Sequence, residues 1–141
     1  MIQYLHTTIT AIAISNGAID GDTIKMTWRD DTGKYYIARH VRLLNINTPE
    51  ITKAKCKKER IIGKRAKYIT NKLLEDAEII ELQYSTRNKD SFGRVLATVY
   101  IDGKHLGDVL RCNGVAQPYI KGSKLKHDWC GDKPLQLPKC K

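Results

Sequence analysis

The stretch Thr23-Ile24-Lys25-Met26-Thr27-Trp28 alternates polar and apolar side chains, with the apolar ones on one face. Because successive side chains of a strand point to opposite faces, this alternation predicts a half-buried β-strand. Upstream, Ile9 to Ser15 is rich in Ile, Thr and Ala and predicts a second strand. Downstream, a turn at residues 30–33 leads to a third strand, Tyr35 to Leu43. Its odd-numbered residues are expected to share one face: Tyr35, Ile37, Arg39, Val41 and Leu43.

The spacing of apolar residues along the chain changes after Pro49. Apolar residues spaced three or four apart predict one face of a long helix, made of Ile62, Ala66, Ile69, Leu73 and Ala77. Ile80 to Tyr84 and Val95 to Ile101 alternate again and predict two more strands around a polar loop at 85–91. A short helix is expected near Leu106 to Leu110, ended by Asn113-Gly114. This order predicts a mainly β protein with helices: a five-stranded antiparallel barrel of the OB type, with a long helix after strand 3 and a short helix after strand 5.

Length and composition limit the class of protein. The 141 residues favour one domain over 1–141, with a core at about 9–120 and an irregular, cysteine-containing tail at 121–141. A hydrophobic content of 41% excludes a disordered chain, and no apolar run is long enough to span a membrane. The formal charge of +10 favours a polyanionic partner such as nucleic acid, although a basic protein that is merely soluble has the same composition.

The termini and cysteines leave the compartment open. Residues 1–6 lack the features of a secretory signal, which predicts a cytoplasmic protein as the chain is written, or a secreted or periplasmic one if the chain is a processed form. Cys56, Cys112, Cys130 and Cys140 permit three disulfide pairings or free thiols. A zinc site is a further alternative because His127 lies near Cys130, but a C-x-x-C pair is absent.

Three short motifs contain residues suited to phosphodiester chemistry. Asp20-Gly21-Asp22 is most simply a turn, yet its two carboxylates also suit a hard cation. Arg42 precedes Thr48-Pro49-Glu50, where the Arg suits a phosphate clamp and the Glu a general base. Gly93-Arg94 opens a strand and supplies a second cation, unless it is an ordinary surface charge. Each motif alone is weak evidence.

Taken together and in order, these motifs resemble the staphylococcal nuclease (thermonuclease) family over about residues 9–119. The resemblance implies an OB barrel and calcium-dependent, sequence-non-specific cleavage of DNA and RNA that leaves 3′-phosphate ends. It implies a monomer that needs no membrane. DNA or RNA preference and endo- or exonucleolytic attack stay open.

The resemblance also implies roles for individual residues. Arg42, Glu50 and Arg94 would be catalytic, the arginines gripping the scissile phosphate and the Glu acting as general base. Asp22 would bind the calcium with Asp20 adjacent, and the backbone carbonyl of Thr48 would join them. Phe92 and Tyr119 fall where the family has aromatics near the base, although core packing or a chance surface position explains them equally well.

This chain departs from the family at two places. Asn47 stands where the family has an acidic calcium ligand, which keeps an oxygen but loses a charge and predicts weaker calcium binding or a preference for another divalent ion. The family's last helix has no counterpart after Lys121. Instead, cysteine placement suggests a Cys56–Cys130 bridge that would tie the tail over the loop after Glu50.

The segment 53–67 contains eight Lys or Arg residues against the single acid Glu59, more than solubility needs. We expect sequence-independent phosphate attraction there, with Lys53, Lys55 and Lys57 beside the site. Two other functions remain open: a catalytically weak or inactive nuclease-like module that binds nucleic acid, which Asn47 favours, and a generic basic OB-fold binder of single-stranded DNA.

Overall fold

The computed structural model describes residues 8–90, 92–119, 127–135 and 137–140. In chain order the elements are β1 (Thr8–Asp20), β2 (Thr23–Arg29), β3 (Tyr35–Leu43), β4 (Ile46–Asn47), α1 (Lys57–Glu75), β5 (Ile80–Lys89), β6 (Val95–Ile101), β7 (Lys104–His105), α2 (Leu106–Cys112) and β8 (Gln117–Pro118). The expectation about a secretory signal concerned residues 1–6, which lie outside the described ranges. No helix in those ranges is long and apolar enough to cross a membrane.

The predicted five-stranded barrel is confirmed, with one difference in its closure. The strands follow the order β3-β2-β1-β5-β6, and a β3–β6 pairing closes the sheet on itself. Neighbours in that order run antiparallel, but β3 and β6 run parallel, with Val41 opposite Val95 and Leu43 opposite Ala97. A parallel pair needs a long connection, which α1 and β5 supply. The inward faces of the strands bury the core: Ile9, Ala11, Ile24, Met26, Trp28, Val41, Leu43, Leu82, Tyr84, Val95, Ala97, Val99 and Ile101.

The predicted face of β3 is wrong in its first half. Val41 and Leu43 are buried, but Tyr35 and Ile37 are 63% and 71% exposed. The pairing with β2 shifts by one residue between Met26 and Trp28, and Ala38 has a φ of 49°. This bulge reverses the alternation, because one extra residue moves every side chain beyond it to the other face. The expected polar loop at 85–91 is also too long, since β5 continues to Lys89.

The long helix α1 packs on β1, but its buried face is centred elsewhere than predicted. Ala66 is fully buried, whereas Ile62, Ile69, Leu73 and Ala77 are only partly buried. The fully buried positions include small or polar residues that the apolar pattern omits: Gly63, Thr70 and, at the start, Glu59. The helix therefore approaches the barrel closely where it faces the loops that follow β1 and β4.

Two disulfides attach the described tail to the rest of the protein. The suggested Cys56–Cys130 bridge is present, and Cys112 is bonded to Cys140. Because all four sulfurs are paired, the zinc interpretation is wrong. Lys58 Nζ also donates a hydrogen bond to the Gly131 carbonyl at 2.9 Å, beside the first bridge. Residues 127–135 and 137–140 form neither helix nor strand.

Candidate active site

Asp22 joins the β1–β2 turn to the loop after β4. Its Oδ2 accepts a hydrogen bond from the backbone N–H of Thr48 at 3.0 Å and lies 3.3 Å from Arg42 Nη2. The turn can approach the helix because residue 21 is glycine: an added Cβ there would lie 2.6 Å from Ala66 Cβ. Thr70 Oγ1 donates to the Gly21 carbonyl at 2.9 Å and fixes the turn further. The turn and the loop are thus held in one rigid cluster.

The guanidinium of Arg42 faces inward and is bound to protein oxygens. Nη1 donates to the carbonyls of Leu43 and Ile46 at 2.7 and 2.8 Å. Nη2 donates to Asn47 Oδ1 and forms the ion pair with Asp22. The side chain is only 11% exposed. A phosphate entering the site would therefore compete with Asn47 and Asp22 for Nη2.

Arg94 lies nearer the surface and is oriented by Asp90. Asp90 accepts hydrogen bonds from the Arg94 backbone N–H and Nε, and it also receives the Phe92 backbone N–H. Burial raises the pKa of Asp90, but these hydrogen bonds and the charge of Arg94 outweigh it, so the net pKa is lowered. Arg94 Nη1 donates to Thr23 Oγ1 at 3.3 Å, and Thr23 in turn donates to Asp22 Oδ1. Thr23 thereby connects Arg94 to the Asp22 carboxylate, which Arg42 contacts directly.

Glu50 has an exposed side chain on a fixed backbone. Its carboxylate has no hydrogen bond or ion pair with any residue in the described ranges, while its N–H donates to Glu59 Oε2 at 3.1 Å. Glu59 is buried and also accepts the Lys55 N–H at 2.9 Å. On the other side of the loop, a Cβ at Gly63 would lie 2.8 and 2.9 Å from the carbonyl oxygens of Pro49 and Glu50. The start of α1 therefore fixes the backbone position from which the Glu50 side chain extends.

Asp20 and Asp22 form a close acidic pair. The Asp22 N–H donates to Asp20 Oδ1 at 3.1 Å. Burial, together with the hydrogen bond and negative charge of Asp22, raises the pKa of Asp20 to about 7. Two carboxylates this close disfavour double ionisation unless a positive charge lies between them.

Comparison with known proteins identifies the family to which this chain belongs. The family model described as "Staphylococcal nuclease homologue" matches residues 40–130. The chain belongs to the staphylococcal nuclease family. It is 36% identical over 101 residues to the SPbeta prophage-derived endonuclease YokF of Bacillus subtilis (strain 168), which covers 71% of this chain and 31% of that protein.

Two other relatives have similar overlaps. Endonuclease YncB of the same strain is 36% identical over 103 residues, covering 71% of this chain and 44% of that protein. Thermonuclease of Staphylococcus hyicus is 31% identical over 99 residues, covering 70% of this chain and 54% of that protein. The chain thus spans about a third to a half of the length of these curated relatives.

Membership of the staphylococcal nuclease family suggests a divalent-cation cofactor, and the donor set here fits one. Two carboxylates, the Asn47 amide oxygen and the Thr48 carbonyl are hard oxygen ligands. The raised pKa of Asp20 marks a charge repulsion that a cation would relieve. The Thr48 hydroxyl is buried and has no hydrogen-bond partner in the described part of the protein. No group of three His, Cys, Asp or Glu side chains suited to a metal occurs in those ranges.

The remaining nuclease-type residues lie around this cluster and not within it. Lys53, Lys55 and Lys57 are exposed on the segment that leads from Glu50 into α1. Phe92 is 82% exposed and contacts the Arg94 guanidinium through its ring, at 5.4 Å. Tyr119 is half-buried, and its N–H donates to the Asn45 carbonyl at 2.8 Å. The core-packing alternative for Phe92 is therefore wrong.

Three residues that orient the site were not predicted from the sequence: Thr23, Glu59 and Asp90. Two of them had a detectable signal. Glu59 is the single acid in a segment of eight cations, which is costly on a surface that attracts phosphate unless the acid has a structural partner. Asp90 stands four residues before Arg94 in a turn, where an Asp side chain commonly accepts nearby backbone N–H groups.

Proposed function

We propose that this chain is a calcium-dependent nuclease that hydrolyses DNA and RNA phosphodiesters without sequence specificity, leaves 3′-phosphate ends and acts as a monomer. The observation that carries the proposal is that Asp22 and Thr23 link two arginines, while the Thr48 N–H ties to Asp22 the loop on which the exposed Glu50 lies two residues further on. Family membership supports the same chemistry. Because the chain spans only part of its relatives, its activity stands as a proposal.

The residues would divide the reaction as follows. Glu50 takes a proton from a water as the water oxygen attacks phosphorus. The bond from phosphorus to the 5′ oxygen breaks, and that oxygen leaves with a proton from solvent, so the phosphate stays on the 3′ side. Arg94 donates to the non-bridging oxygens, and Arg42 joins it when a phosphate oxygen replaces Asn47 as acceptor of Nη2.

Asp20, Asp22, Asn47 and the Thr48 carbonyl would hold the calcium ion. When bound, the ion supplies positive charge that polarises the phosphoryl oxygen. Because one of these ligands is neutral, we propose that the chain needs a higher calcium concentration than a site with three carboxylates.

Substrate attraction would come from charge and not from base recognition. Lys53, Lys55 and Lys57 are exposed between Glu50 and the first turn of α1, where a polyanion bound at the arginines would pass. Phosphate contacts position a strand without reading its sequence. The two disulfides favour an oxidising compartment for this chain, secreted or periplasmic, over the cytoplasm.

Two observations favour a second candidate, a binding module with little or no catalysis. Asn47 removes a charge from the cation site, and Arg42 is bound to four protein oxygens. In this alternative the basic surface binds nucleic acid and the acidic pair remains partly protonated.

Cleavage of denatured DNA at slightly alkaline pH separates the two. Calcium is titrated from micromolar to tens of millimolar, with a chelator blank, and the product ends are tested for sensitivity to phosphatase. The variant Glu50→Gln tests the general base. The matched control is Glu75→Gln, which makes the same change at an exposed acid, the last residue of α1. Calcium-dependent cleavage that Glu50→Gln alone abolishes supports the nuclease. DNA binding without cleavage at any calcium concentration overturns it and leaves the binding module.

A further inference from the structure

A cleft opens in the barrel wall because β3 and β6 pair over a short distance. Their pairing begins at Val41 and Val95, and beyond this point β3 continues towards Tyr35 without β6 beside it. The cleft has a volume of about 130 Å³ and is lined by Lys34, Tyr36, Arg39, Tyr84, Ser85, Lys89 and Val95. Pockets that enclose whole small molecules are several times larger, so this cleft suits one part of an extended ligand.

The mouth of the cleft is positively charged. Lys34, Arg39 and Lys89 are all exposed, and no carboxylate of the described ranges lies in salt-bridge range of any of them. Two acids lie nearby: the negative charge of Asp31 acts on Tyr84, and Asp30 accepts hydrogen bonds from Tyr36 Oη, Thr32 and the Lys34 N–H. These donors lower the pKa of Asp30, so it stays ionised yet engaged. Three exposed cations at one concavity, none of them paired with a carboxylate of the described ranges, indicate an anionic ligand.

The wall of the cleft is aromatic. Tyr36 stacks on Trp28 with ring centroids 4.8 Å apart and an angle of 5° between the planes. Trp28 Nε1 donates to Tyr84 Oη at 2.8 Å, which fixes all three rings. Trp28 covers one face of Tyr36, and Lys34 Nζ and Arg39 Cζ lie 5.1 and 5.9 Å from the centroid of the same ring. A base that stacks on the free side of Tyr36 would displace these exposed side chains, which then remain beside the base to bind its phosphate. The bulge at Ala38 makes this possible, since it turns Tyr36 towards the barrel side.

The cleft adjoins the candidate phosphate site. Arg94 directly precedes Val95, and Arg42 directly follows Val41, so both arginines lie one residue from the pair at which the cleft begins. Arg39 is three residues from Arg42, about 10 Å along a strand. A nucleic-acid strand held at the arginines can therefore reach the cleft within a few nucleotides.

We propose that this cleft is a second subsite for the substrate strand, in which Lys34, Arg39 and Lys89 hold a backbone phosphate and Tyr36 stacks with the adjoining base. The proposal rests on the proposed function for its substrate class. It adds a place where single-stranded nucleic acid is bound away from the bond that is cleaved. An aromatic ring stacks on any base, and cations that bind the nucleic-acid backbone do not distinguish bases. The subsite therefore gives affinity without sequence preference.

The test measures binding of a fluorescent 12-nucleotide thymidine oligomer by anisotropy, in chelator, over a series of salt concentrations. The variant Lys34→Gln/Arg39→Gln is compared with Lys72→Gln/Lys104→Gln. The control removes the same charge from two exposed lysines that do not line the cleft: Lys104 lies opposite Ile101, and Lys72 lies in the last turn of α1, in an exposed pair with Asp76. Because the three cations hold one phosphate, losing two of them is expected to reduce the slope of log K against log salt by up to about 0.7 and to weaken binding by up to about 5-fold near 0.1 M salt.

A reduced slope in the cleft variant alone supports the subsite. An equal reduction in both variants, which shows an effect of net charge only, or no reduction in either, overturns it. Tyr36→Leu tests stacking separately, with weaker binding expected at an unchanged salt slope. If Tyr36→Leu does not fold, the exposed Lys34→Gln/Arg39→Gln pair still decides.

A cleavage measurement distinguishes failure of the subsite from failure of the proposed function. The cleft variant is expected to lose kcat/KM on the 12-nucleotide oligomer and to keep it on a dinucleotide, which is too short to reach the cleft. Equal losses on both substrates overturn the subsite. If wild-type protein cleaves neither substrate, the nuclease proposal fails, while the binding measurement in chelator still tests the cleft.

Discussion

The buried carboxylate of Glu59 accepts a hydrogen bond from the backbone N–H of Glu50 at 3.1 Å. One Glu thereby fixes the position of another, and a residue of the helix determines where the candidate general base stands on its loop. The same carboxylate accepts the Lys55 N–H, so it holds both ends of the segment between Glu50 and α1. Because Glu59 acts on Glu50 through the backbone of the loop, it is a positioning residue.

Glu59→Ala is expected to lower both stability and cleavage. It leaves two part-buried N–H groups without their acceptor, and each costs at most about 1–3 kcal/mol, the penalty of a fully buried unsatisfied group. Because the Glu50 loop loses its anchor, kcat is expected to fall about 10-fold or more with little change in KM. Urea unfolding and initial cleavage rates measure the two effects.

Glu59→Gln is the informative companion because it keeps one acceptor oxygen, whereas the Glu50 N–H and the Lys55 N–H bind different oxygens of the carboxylate. One of the two hydrogen bonds can therefore form, and we expect Glu59→Gln to recover part of the stability and part of kcat. If Glu59→Ala and Glu59→Gln lose kcat equally, the charge of Glu59 matters and the positioning role is wrong.

Asn47→Asp is expected to lower the calcium concentration that gives half-maximal cleavage. A unit charge pair about 4 Å apart is worth roughly 4 kcal/mol at an effective dielectric of 20, and dehydration offsets part of this. A decrease of about 10- to 100-fold is therefore expected in a calcium titration of the cleavage rate. Asn45→Asp is the matched control, since Asn45 is exposed in the same loop and Asp tolerates its φ of 66°. A similar decrease in both variants would show that the effect is general attraction of cations.

Asp90→Asn is expected to remove a pH-dependent part of the stability. The pKa of Asp90 is lowered in the folded protein, so its ionised form stabilises the fold above the unfolded pKa of about 4. This contribution is lost as the pH falls through the lower, folded pKa. Wild type should therefore exceed Asp90→Asn in thermal stability at pH 7, and the two should converge below about pH 4. A difference that is constant from pH 7 to 2.5 would contradict the ion pair with Arg94.

The barrel was predictable because its strands have one solvent-exposed and one buried face. Val95 to Ile101 alternates without interruption and is buried at every second position. The first half of β3 was not predictable, because a bulge changes the face without changing the composition: Tyr36 and Ile37 fit either side of a strand. Pairing with β2 and stacking on Trp28 decide the outcome, and both depend on tertiary structure.

The candidate site was predictable in its motifs and not in its supports. Asp22, Arg42 and Thr48 lie together as their order along the chain suggested. Gly63 and Thr70 were not predicted to face the barrel, because the buried face of a helix is recognised in a sequence from the spacing of its large apolar side chains. Here the closest approach needs the absence of a side chain at Gly63 and a hydroxyl at Thr70.

Removing the Cys56–Cys130 bridge is expected to affect both stability and activity. The bridge closes a loop of 74 residues, so Cys56→Ser/Cys130→Ser should lower the free energy of unfolding by about 2–4 kcal/mol. Cys56 Sγ also caps α1 by accepting the Glu59 N–H, and serine retains a capping oxygen at that position. Cleavage should therefore fall because the helix start beside Glu50 loses its covalent tie to the segment around Cys130. Cys112→Ser/Cys140→Ser opens the bridge that spans 28 residues and should lower stability while leaving the cleavage rate of the folded protein unchanged. Urea unfolding and initial rates at 25 °C measure both pairs, and full activity in Cys56→Ser/Cys130→Ser would show that the first bridge only stabilises the fold.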